Sequence, residues 1–259
     1  HGCVPRKGRI VLSVDPGYTP RDAQLAGTTG EAYAIEVDSD DVRVSALTAQ
    51  GLHRAVGVLA QLVEVRRDGS LLIPTCAIED WPARSWRGAA FSGEALPSPS
   101  EAERLIDLLA FYRMNALRLP AVSTDLSVAD QAEALVRYGA DRGVTVVLAD
   151  GAGGPERGAV AKWEGEGSLR DAYELESEGG AAKEPDVVGV EVLVPVGDAQ
   201  EAGELLPLLP AIAEAAWLGR DARNWTSFTS RIADHTDYWD SAGLRWDKAA
   251  GVNWGDSDD

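Results

Sequence analysis

The first eighty residues alternate polar and apolar positions with a period of two, interrupted by one amphipathic helical pattern. The segments "GRIVLSVD" (8–15) and "EAYAIEVDSDDVRVSAL" (31–47) predict strands, and "DSDD" predicts a hairpin turn within the second. In "AQGLHRAVGVLAQLVEVR" (49–66) the apolar residues recur at helical spacing, and "LLIPTCAIEDWP" (71–82) is extended and closes on a proline. Residues 1–80 are therefore predicted to form a small α+β domain, with a helix packed on an antiparallel sheet.

After Trp81 the pattern changes to strands that alternate with helices, up to Trp246. Strands are predicted over 86–93, 115–122, 144–150 and 187–196, and helices over 98–114, 127–143, 202–217 and 224–243. Such alternation is typical of parallel βα units with right-handed crossovers. The Gly- and Glu-rich stretch 151–186 is predicted to be a long loop, in which only "SLRDAYEL" has helical character, and residues 247–259 are predicted to form an acidic tail.

The composition and net charge of the chain limit the classes of partner that we expect it to bind. The chain has 259 residues, 45% of them hydrophobic, which is enough for one or two cores. Acidic residues outnumber basic ones 42 to 24, and the net charge of −18 would repel nucleic acid and anionic membrane surfaces. No apolar run approaches the roughly 20 residues needed to span a bilayer, so we expect neither a nucleic acid nor a membrane as partner. Secretion and a cytoplasmic location both stay open, since the chain begins with His1.

Cysteine and histidine residues are few and scattered. Cys3 and Cys76 could form one disulfide in an exported protein, but two separate thiols are the simpler and slightly favoured interpretation. His1, His53 and His235 are far apart in the sequence, without an HExxH motif or a Cys/His cluster. We therefore expect no metal site and no cofactor.

Three blocks, in order, carry a resemblance to a known family. They are "AYAIEV…GLHRAVGVLAQL", "IEDWPARSWRGAAFSGEALPSPSEAERLIDLLAFYRMNALRL" with "LVRYGADRGVTVVLAD", and "SLRDAYEL…VVGVEVLVPV…PLLPAIAEAAWLGRDARNWTSFTSRI…WDSAGLRW". Together they resemble the β-N-acetylhexosaminidases of glycoside hydrolase family 20, in which a small α+β domain precedes a (β/α)₈ barrel. Such a barrel typically needs about 250 residues. The segment 81–246 is too short for it, and the middle strands of the family are missing between Asp150 and about Ser168. The resemblance thus implies an α/β fold with an incomplete (β/α) barrel-like domain.

The chemistry that the resemblance implies is absent from the sequence. In this family the acetamido oxygen of the substrate is the nucleophile, a Glu protonates the leaving oxygen, and the Asp before it orients the acetamide. No Asp directly precedes a Glu in this chain, so no catalytic residue can be assigned. The family's Asp on the first strand falls at Ser92, its polar run on the second strand at 118–124, and its Trp-x-Glu on the last strand at 195–197.

Three residues are candidates for substrate binding. Arg87 resembles the family arginine that binds sugar hydroxyls, although an arginine beside Trp86 is more often an ion-pairing or stacking residue. Trp163 could stack on the face of a sugar or pack on the surface. Asp150 ends the third strand, where a barrel enzyme holds catalytic groups, but a strand-end Asp more often caps a loop.

The favoured hypothesis is a catalytically degenerate β-N-acetylhexosaminidase-like protein that acts as a binding or assembly module. Its open barrel edge would be covered by another copy, by a different chain, or by the segment 151–186. One alternative is an active exo-β-N-acetylhexosaminidase whose middle barrel strands are missing from this sequence. Another is a non-catalytic sugar-binding protein that keeps Arg87 and Trp163 as ligand contacts. The expected ligand is a glycan that contains N-acetylhexosamine.

Overall fold

The computed structural model describes residues 8–21, 30–93, 95–121, 126–148, 159–164, 167–175, 187–196, 205–218 and 220–255. The chain divides into two compact units, the first ending at Ala83 and the second beginning at Arg84. Within the described residues, no helix combines the length and apolar character needed to cross a membrane.

The first unit is a four-stranded sheet with one helix. Its elements are β1 (Arg9–Val14), β2 (Tyr33–Val37), β3 (Asp41–Ala46), α1 (Ala49–Gln61), β4 (Glu64–Val65), β5 (Leu71–Leu72) and β6 (Cys76–Asp80). The sheet has the order β1-β3-β2-β6, with β1 parallel to β3 and the other pairs antiparallel. The short strands β4 and β5 form a separate hairpin after α1.

Local side-chain contacts explain the hairpin and the helix of this unit. The Asp38 carboxylate accepts hydrogen bonds from the backbone N–H groups of Asp40 and Asp41, both at 2.8 Å, and so closes the predicted "DSDD" turn. Helix α1 begins at Thr48, whose hydroxyl accepts from the Gly51 N–H at 3.2 Å. A Cβ at Gly51 would lie only 2.6 Å from the Ala32 carbonyl oxygen, so this glycine allows the helix to lie close to the sheet.

The second unit contains a five-stranded parallel sheet and its helices. Its elements are β7 (Trp86–Ser92), α2 (Pro99–Phe111), β8 (Ala116–Leu119), α3 (Leu126–Ala140), β9 (Thr145–Leu148), β10 (Ala159–Trp163), α4 (Leu169–Tyr173), β11 (Val187–Pro195), α5 (Leu208–Leu218), α6 (Trp225–Ile232) and α7 (Thr236–Ser241). The strand order is β10-β11-β7-β8-β9, and all four pairings are parallel. The last strand in the sequence therefore pairs with the first strand of this sheet.

The two faces of this sheet differ in character. One face carries Ala89, Phe91 and Val190, Val192 and Val194 of β11, which pack into the large hydrophobic core together with residues of α2 and α5. The opposite face carries Trp86, Ala116 and Val147 in a smaller cluster. Because strand residues alternate between faces, Arg87 belongs to the first face and Glu191, opposite Gly88, belongs to the second.

The prediction of a loop over 151–186 is wrong at Ala159–Trp163, which forms strand β10. "AVAKW" pairs with β11 from Ala159↔Val187 to Trp163↔Val192, so the sheet has five parallel strands instead of four. The strand is short, and the Gly- and Glu-rich sequence around it hides its alternation. The helix predicted in "SLRDAYEL" is present as α4, which begins with a capping box between Ser168 and Asp171.

Two further predictions at the carboxyl-terminal end need correction. The single helix predicted over 224–243 is divided into α6 and α7 by a 3₁₀ turn, Ala233–His235. Residues 247–255 of the predicted acidic tail pack against the core through Ala249, Val252 and Trp254. The Trp254 indole lies 5.2 Å from that of Trp246, and its Nε1 donates to the Ala249 carbonyl at 3.0 Å. Apolar side chains within the acidic sequence account for this packing.

Candidate functional site

The carboxyl edge of the parallel sheet is the place where a fold of this kind carries its chemistry. Ligands of parallel α/β sheets bind beyond the carboxyl ends of the strands, where side chains of several strands converge. The five described strands end there, in chain order, at Ser92, Leu119, Leu148, Trp163 and Pro195. None of these five residues has a carboxylate, an imidazole or an amine.

The hydroxyl of Ser92, at the end of β7, forms a hydrogen bond within the sheet. The Ser92 hydroxyl donates to the Val194 carbonyl at 3.3 Å. Leu119 is fully buried, and Pro120, which follows it, is buried as well. Glu164, directly after Trp163, is exposed and is the carboxylate closest in sequence to one of the described strand ends. The edge thus offers one exposed acid but no pair of carboxylates among these strand ends.

Arg87 lies near the opposite, amino end of β7. Its side chain is fully buried. Its guanidinium donates to the Arg84 carbonyl at 2.6 Å through Nη1, and to the Arg113 carbonyl at 3.2 Å through Nε and 3.0 Å through Nη2. These contacts join the segment before β7 to the turn before β8. A role of Arg87 in sugar binding stays a prediction.

Two guanidinium groups lie against one indole at the same end of the sheet. Trp217, near the end of α5, has the Arg87 guanidinium carbon 5.1 Å from its ring centre and that of Arg113 at 4.1 Å. Arg113 has a φ of 58°, in the left-handed region that often ends a helix, and its carbonyl is the one that Arg87 binds. The amino end of the sheet is therefore held together by stacked cations and an aromatic ring.

Trp163 ends β10 on the face that the helices cover. Its side chain is 7% exposed and belongs to the large hydrophobic core, and a Cβ at Gly167 would lie 2.9 Å from its ring. Its Nε1 has no hydrogen-bond acceptor among the described residues. Trp163 is thus a packed residue, and its stacking on a sugar stays a prediction.

The remaining candidates give no site in the described part of the chain. Asp150 and Cys3 lie outside the described residues, and Cys76 is a half-buried free thiol in β6. The residues that the structure describes contain no group of three or more His, Cys, Asp or Glu side chains that could hold a metal ion.

Sequence reasoning missed a buried polar network on the second face of the sheet. The carboxylate of Glu191, which is 1% exposed, accepts from Trp86 Nε1 at 2.8 Å and from Arg118 Nε and Nη2 at 3.1 and 2.9 Å. The signal was a single Glu within the apolar "VVGVEVLVPV" and a single Arg within "NALRLP". Buried charges are rarely found unless paired, so each charge in a buried strand should have indicated the other.

Gly88 allows the strands around this network to lie close together. Gly88 lies between Glu191 of β11 and Ala116 of β8 in the sheet register. A Cβ at Gly88 would lie 2.7 Å from the Ala116 carbonyl oxygen, so a larger residue would push the strands apart. The network therefore joins three neighbouring strands across a glycine and serves to fix their register.

Comparisons with known proteins agree with this architecture. The model for glycosyl hydrolase family 20, domain 2, matches residues 4–81, which lie in the first unit. A β-N-acetylhexosaminidase from Cellulomonas fimi is 38% identical over 99 residues, which are 36% of this chain and 20% of that protein. Together these matches support a glycoside hydrolase family 20 protein. It spans about a fifth of the length of this curated relative.

Solved family 20 structures extend the likeness of fold over nearly the whole chain. The β-N-acetylhexosaminidase from Streptomyces coelicolor A3(2) superposes with a TM-score of 0.72 at 16% identity, covering 95% of this chain and 86% of that one. The exo-β-N-acetylglucosaminidase from Vibrio harveyi, solved with N-acetylglucosamine, gives 0.67 at 11% identity, covering 92% and 69%. The Streptomyces plicatus enzyme, solved with thio-NAglucal, gives 0.68 at 15%, covering 97% and 94%. At such identities the likeness concerns the fold alone.

Proposed function

We propose that this family 20 protein is catalytically degenerate and acts as a binding or assembly module built on a β-N-acetylhexosaminidase scaffold. The observation that carries the proposal is the carboxyl edge, where Ser92, Pro120 and Pro195 occupy strand ends that need polar groups for glycoside chemistry. The absence of any Asp-Glu pair from the 259 residues supports the same conclusion.

The buried carboxylate of the sheet does not replace the missing pair. Glu191 is the fifth of the nine residues of β11, level with Ala116 at the start of β8, and its Oε1 accepts from both Trp86 and Arg118. A general acid must reach the leaving oxygen within hydrogen-bond distance, and a side chain that is 1% exposed offers a substrate no such approach. Glu191 therefore belongs to the scaffold.

A glycan that contains N-acetylhexosamine is the ligand class we propose. Relatives of this fold were solved with N-acetylglucosamine and with thio-NAglucal, and both occupants are of this class. For this chain, binding without hydrolysis would need only a few polar contacts and an apolar ring face. Glu164 and Lys162, both exposed near the end of β10, are the charged side chains available there.

The parallel sheet has two end strands in the described residues, β9 and β10. Strand β10 comes from the segment 151–186 and pairs with β11. Part of this segment therefore covers one edge of β11. Unpaired strand edges attract other strands. We therefore propose that the barrel is incomplete and that a second copy or a different chain covers an outer edge of β9 or β10.

The first test is release of a chromogenic aglycone from an N-acetylglucosaminide, with protein whose measured mass matches 27.5 kDa. We expect no turnover above that of buffer, while near-UV circular dichroism reports folded tryptophans. Turnover that follows the purified protein and disappears in Glu164→Gln would establish an active hydrolase and contradict the proposal. A Glu164→Asp variant serves as the matched control, because it keeps the charge at nearly the same place.

The assembly part has its own measurement. Light scattering during size-exclusion chromatography should give a mass of at least twice 27.5 kDa if a second copy covers the edge. A monomer whose strand edges exchange amide hydrogen slowly would contradict partner coverage, because slow exchange in a monomer means that the edge is covered by the chain itself.

A further inference from the structure

A cleft lies on the second unit at the junction of α4, the 3₁₀ turn Arg220–Ala222 and the start of α6. Its lining residues are Tyr173, Glu174, Arg220, Arg223 and Trp225, and its volume is about 270 Å³. Helix α4 follows β10 and ends at this cleft, and the Arg84 N–H donates to the Ala216 carbonyl at 3.1 Å near the end of α5. That bond ties the end of α5 to the segment entering β7, so the cleft lies toward the amino ends of the strands.

One arginine of the cleft is held in place by helix ends. Arg223 Nε donates to the Ala215 carbonyl at 3.2 Å, and its Nη1 donates to the Tyr173 carbonyl at 3.4 Å. These carbonyls belong to the last turns of α5 and α4, where a cation is favourable. Arg223 is therefore fixed at the back of the cleft, whereas Arg220 is exposed at its rim.

The aromatic wall of the cleft is also rigid. Trp225 is half-buried, with its ring centre 5.5 Å from that of Tyr173 and 5.7 Å from that of Phe228. The Tyr173 hydroxyl donates to Glu214 Oε1 at 3.0 Å and accepts from the Asn224 N–H at 2.9 Å. Burial raises the pKa of Tyr173 to about 12, so this hydroxyl keeps its proton at neutral pH.

The mixture of groups selects the ligand. Glu174 supplies a carboxylate, which Arg170 Nε binds at 2.8 Å, so the groups that line the cleft carry charges of both signs. The guanidinium groups of Arg220 and Arg223 disfavour a purely apolar ligand. A neutral ring with several hydroxyls satisfies both kinds of group, because each hydroxyl donates and accepts, while an apolar ring face can lie on the indole.

We propose that this cleft is a saccharide site for one neutral sugar residue, separate from the carboxyl edge of the sheet. A volume of about 270 Å³ is just below the range of sites for drug-sized ligands, which suits a single ring. The site does not depend on the function proposed above, since neither hydrolysis nor assembly involves these residues. If a glycan also binds as proposed above, this second point of contact raises the overall affinity when both points engage one glycan chain.

The test uses the indole N–H signals of ¹⁵N-labelled protein, with methyl β-D-glucopyranoside as the probe. Trp225→Phe removes one signal and so assigns it, and the other seven signals report whether this variant is folded. We expect the Trp225 signal of the unchanged protein to shift saturably with the neutral glucoside. Sodium glucuronate, with a carboxylate on the same ring, should bind no more tightly, because the hydroxyls and the ring face hold the ligand. A Trp225 signal that does not move, or that moves more with glucuronate, would overturn the proposal.

A pair of variants checks the contact with Glu174. Glu174→Ala removes an acceptor, and we expect the glucoside to bind about tenfold more weakly. Glu133→Ala is the matched control, because Glu133 forms a similarly exposed i,i+4 ion pair with Arg137 on α3, and it should leave the affinity unchanged. Equal affinities of the two variants would contradict a site at Glu174. None of these readouts involves turnover, so failure here leaves the proposed function untouched.

Discussion

The two ends of the parallel sheet differ sharply, although the same strands build both. At the amino end, Arg87 and Glu191 are buried charges, and each has several hydrogen bonds to neighbouring strands or turns. At the carboxyl end, the corresponding positions carry Ser92, Pro120 and Pro195. In parallel α/β folds stability and chemistry are located at opposite ends of the strands, and the buried charges of this sheet lie at the end that gives stability.

If the protein is catalytically degenerate, as we propose, this difference explains how its scaffold can persist without the site. Each buried charge at the amino end would cost several kcal/mol if its partner were removed, so substitution there endangers the fold. The carboxyl-end residues make few such contacts, and their replacement leaves the strands intact. The comparison therefore predicts large effects on stability from the amino end.

The largest effect is expected from Glu191→Ala. The change leaves Arg118 and the Trp86 indole N–H without their carboxylate in a buried place, and we expect a loss of about 3–5 kcal/mol in the free energy of unfolding. Urea unfolding followed by tryptophan fluorescence measures it, because Trp81 is the only tryptophan outside the second unit.

Glu133→Ala is the control for this prediction. It also removes a glutamate from an arginine, but both side chains are exposed, and such pairs contribute about 0.3–0.5 kcal/mol. Equal losses in the free energy of unfolding for Glu191→Ala and Glu133→Ala would contradict the claim that the amino end of the sheet contributes more to stability than the surface does.

Arg87→Met should give the second-largest effect. It removes the donors to the Arg84 and Arg113 carbonyls and the cation beside Trp217, and we expect a loss of about 2–3 kcal/mol. Affinity for N-acetylglucosamine, measured by calorimetry below the unfolding transition, should not change. A variant of normal stability with lost affinity would instead assign Arg87 to sugar binding, as its resemblance to the family arginine suggested.

Two tryptophan variants measure how much a buried indole hydrogen bond contributes to stability. Trp239 is fully buried and its Nε1 donates to the Tyr112 hydroxyl at 2.7 Å, whereas Trp163 Nε1 has no acceptor among the described residues. Trp239→Phe should therefore cost about 1–3 kcal/mol more than Trp163→Phe, because it leaves a buried hydroxyl without its donor. Similar costs in thermal unfolding would indicate that the Trp163 N–H has a partner in solution.

The general architecture could be predicted from sequence because it rests on repeated local patterns. Helix α2 illustrates this, since Ser98 and Glu101 form a capping box and Pro99 occupies its first turn. The strand "VTVVL" was equally plain, because a buried parallel strand is apolar on both faces. Such signals are contained within a few neighbouring residues.

The missed features depend on residues distant in the sequence. Strand β10 exists because β11 pairs with it, and nothing within "AVAKW" indicates that partner. The contact between Glu191 and Trp86 spans 105 positions, and the one between Arg87 and Arg113 requires a left-handed backbone at a non-glycine residue. Pairings of this kind become visible only when the strands have been placed side by side.

The smallest predicted effect concerns His235, which lies between α6 and α7. Its Nδ1 is 3.0 Å from the Tyr112 hydroxyl, which also accepts from Trp239, so a neutral imidazole can accept the hydroxyl proton. Burial, with a smaller effect of Arg231, lowers the pKa of His235, and the carboxylates of Asp234 and Glu214 only partly oppose this.

The direction of the resulting pH dependence follows from linkage. In the unfolded chain His235 takes up a proton near pH 6.5, before it does so in the folded protein, so the free energy of unfolding should fall as the pH drops from about 6.5 toward the lowered value. His235→Gln should flatten this part of the profile, measured as urea midpoints across the range. An unchanged slope in His235→Gln would assign the dependence to carboxylates instead. Since this fall should be much smaller than the loss from Glu191→Ala, the amino end of the sheet would remain the main source of stability at every pH in this range.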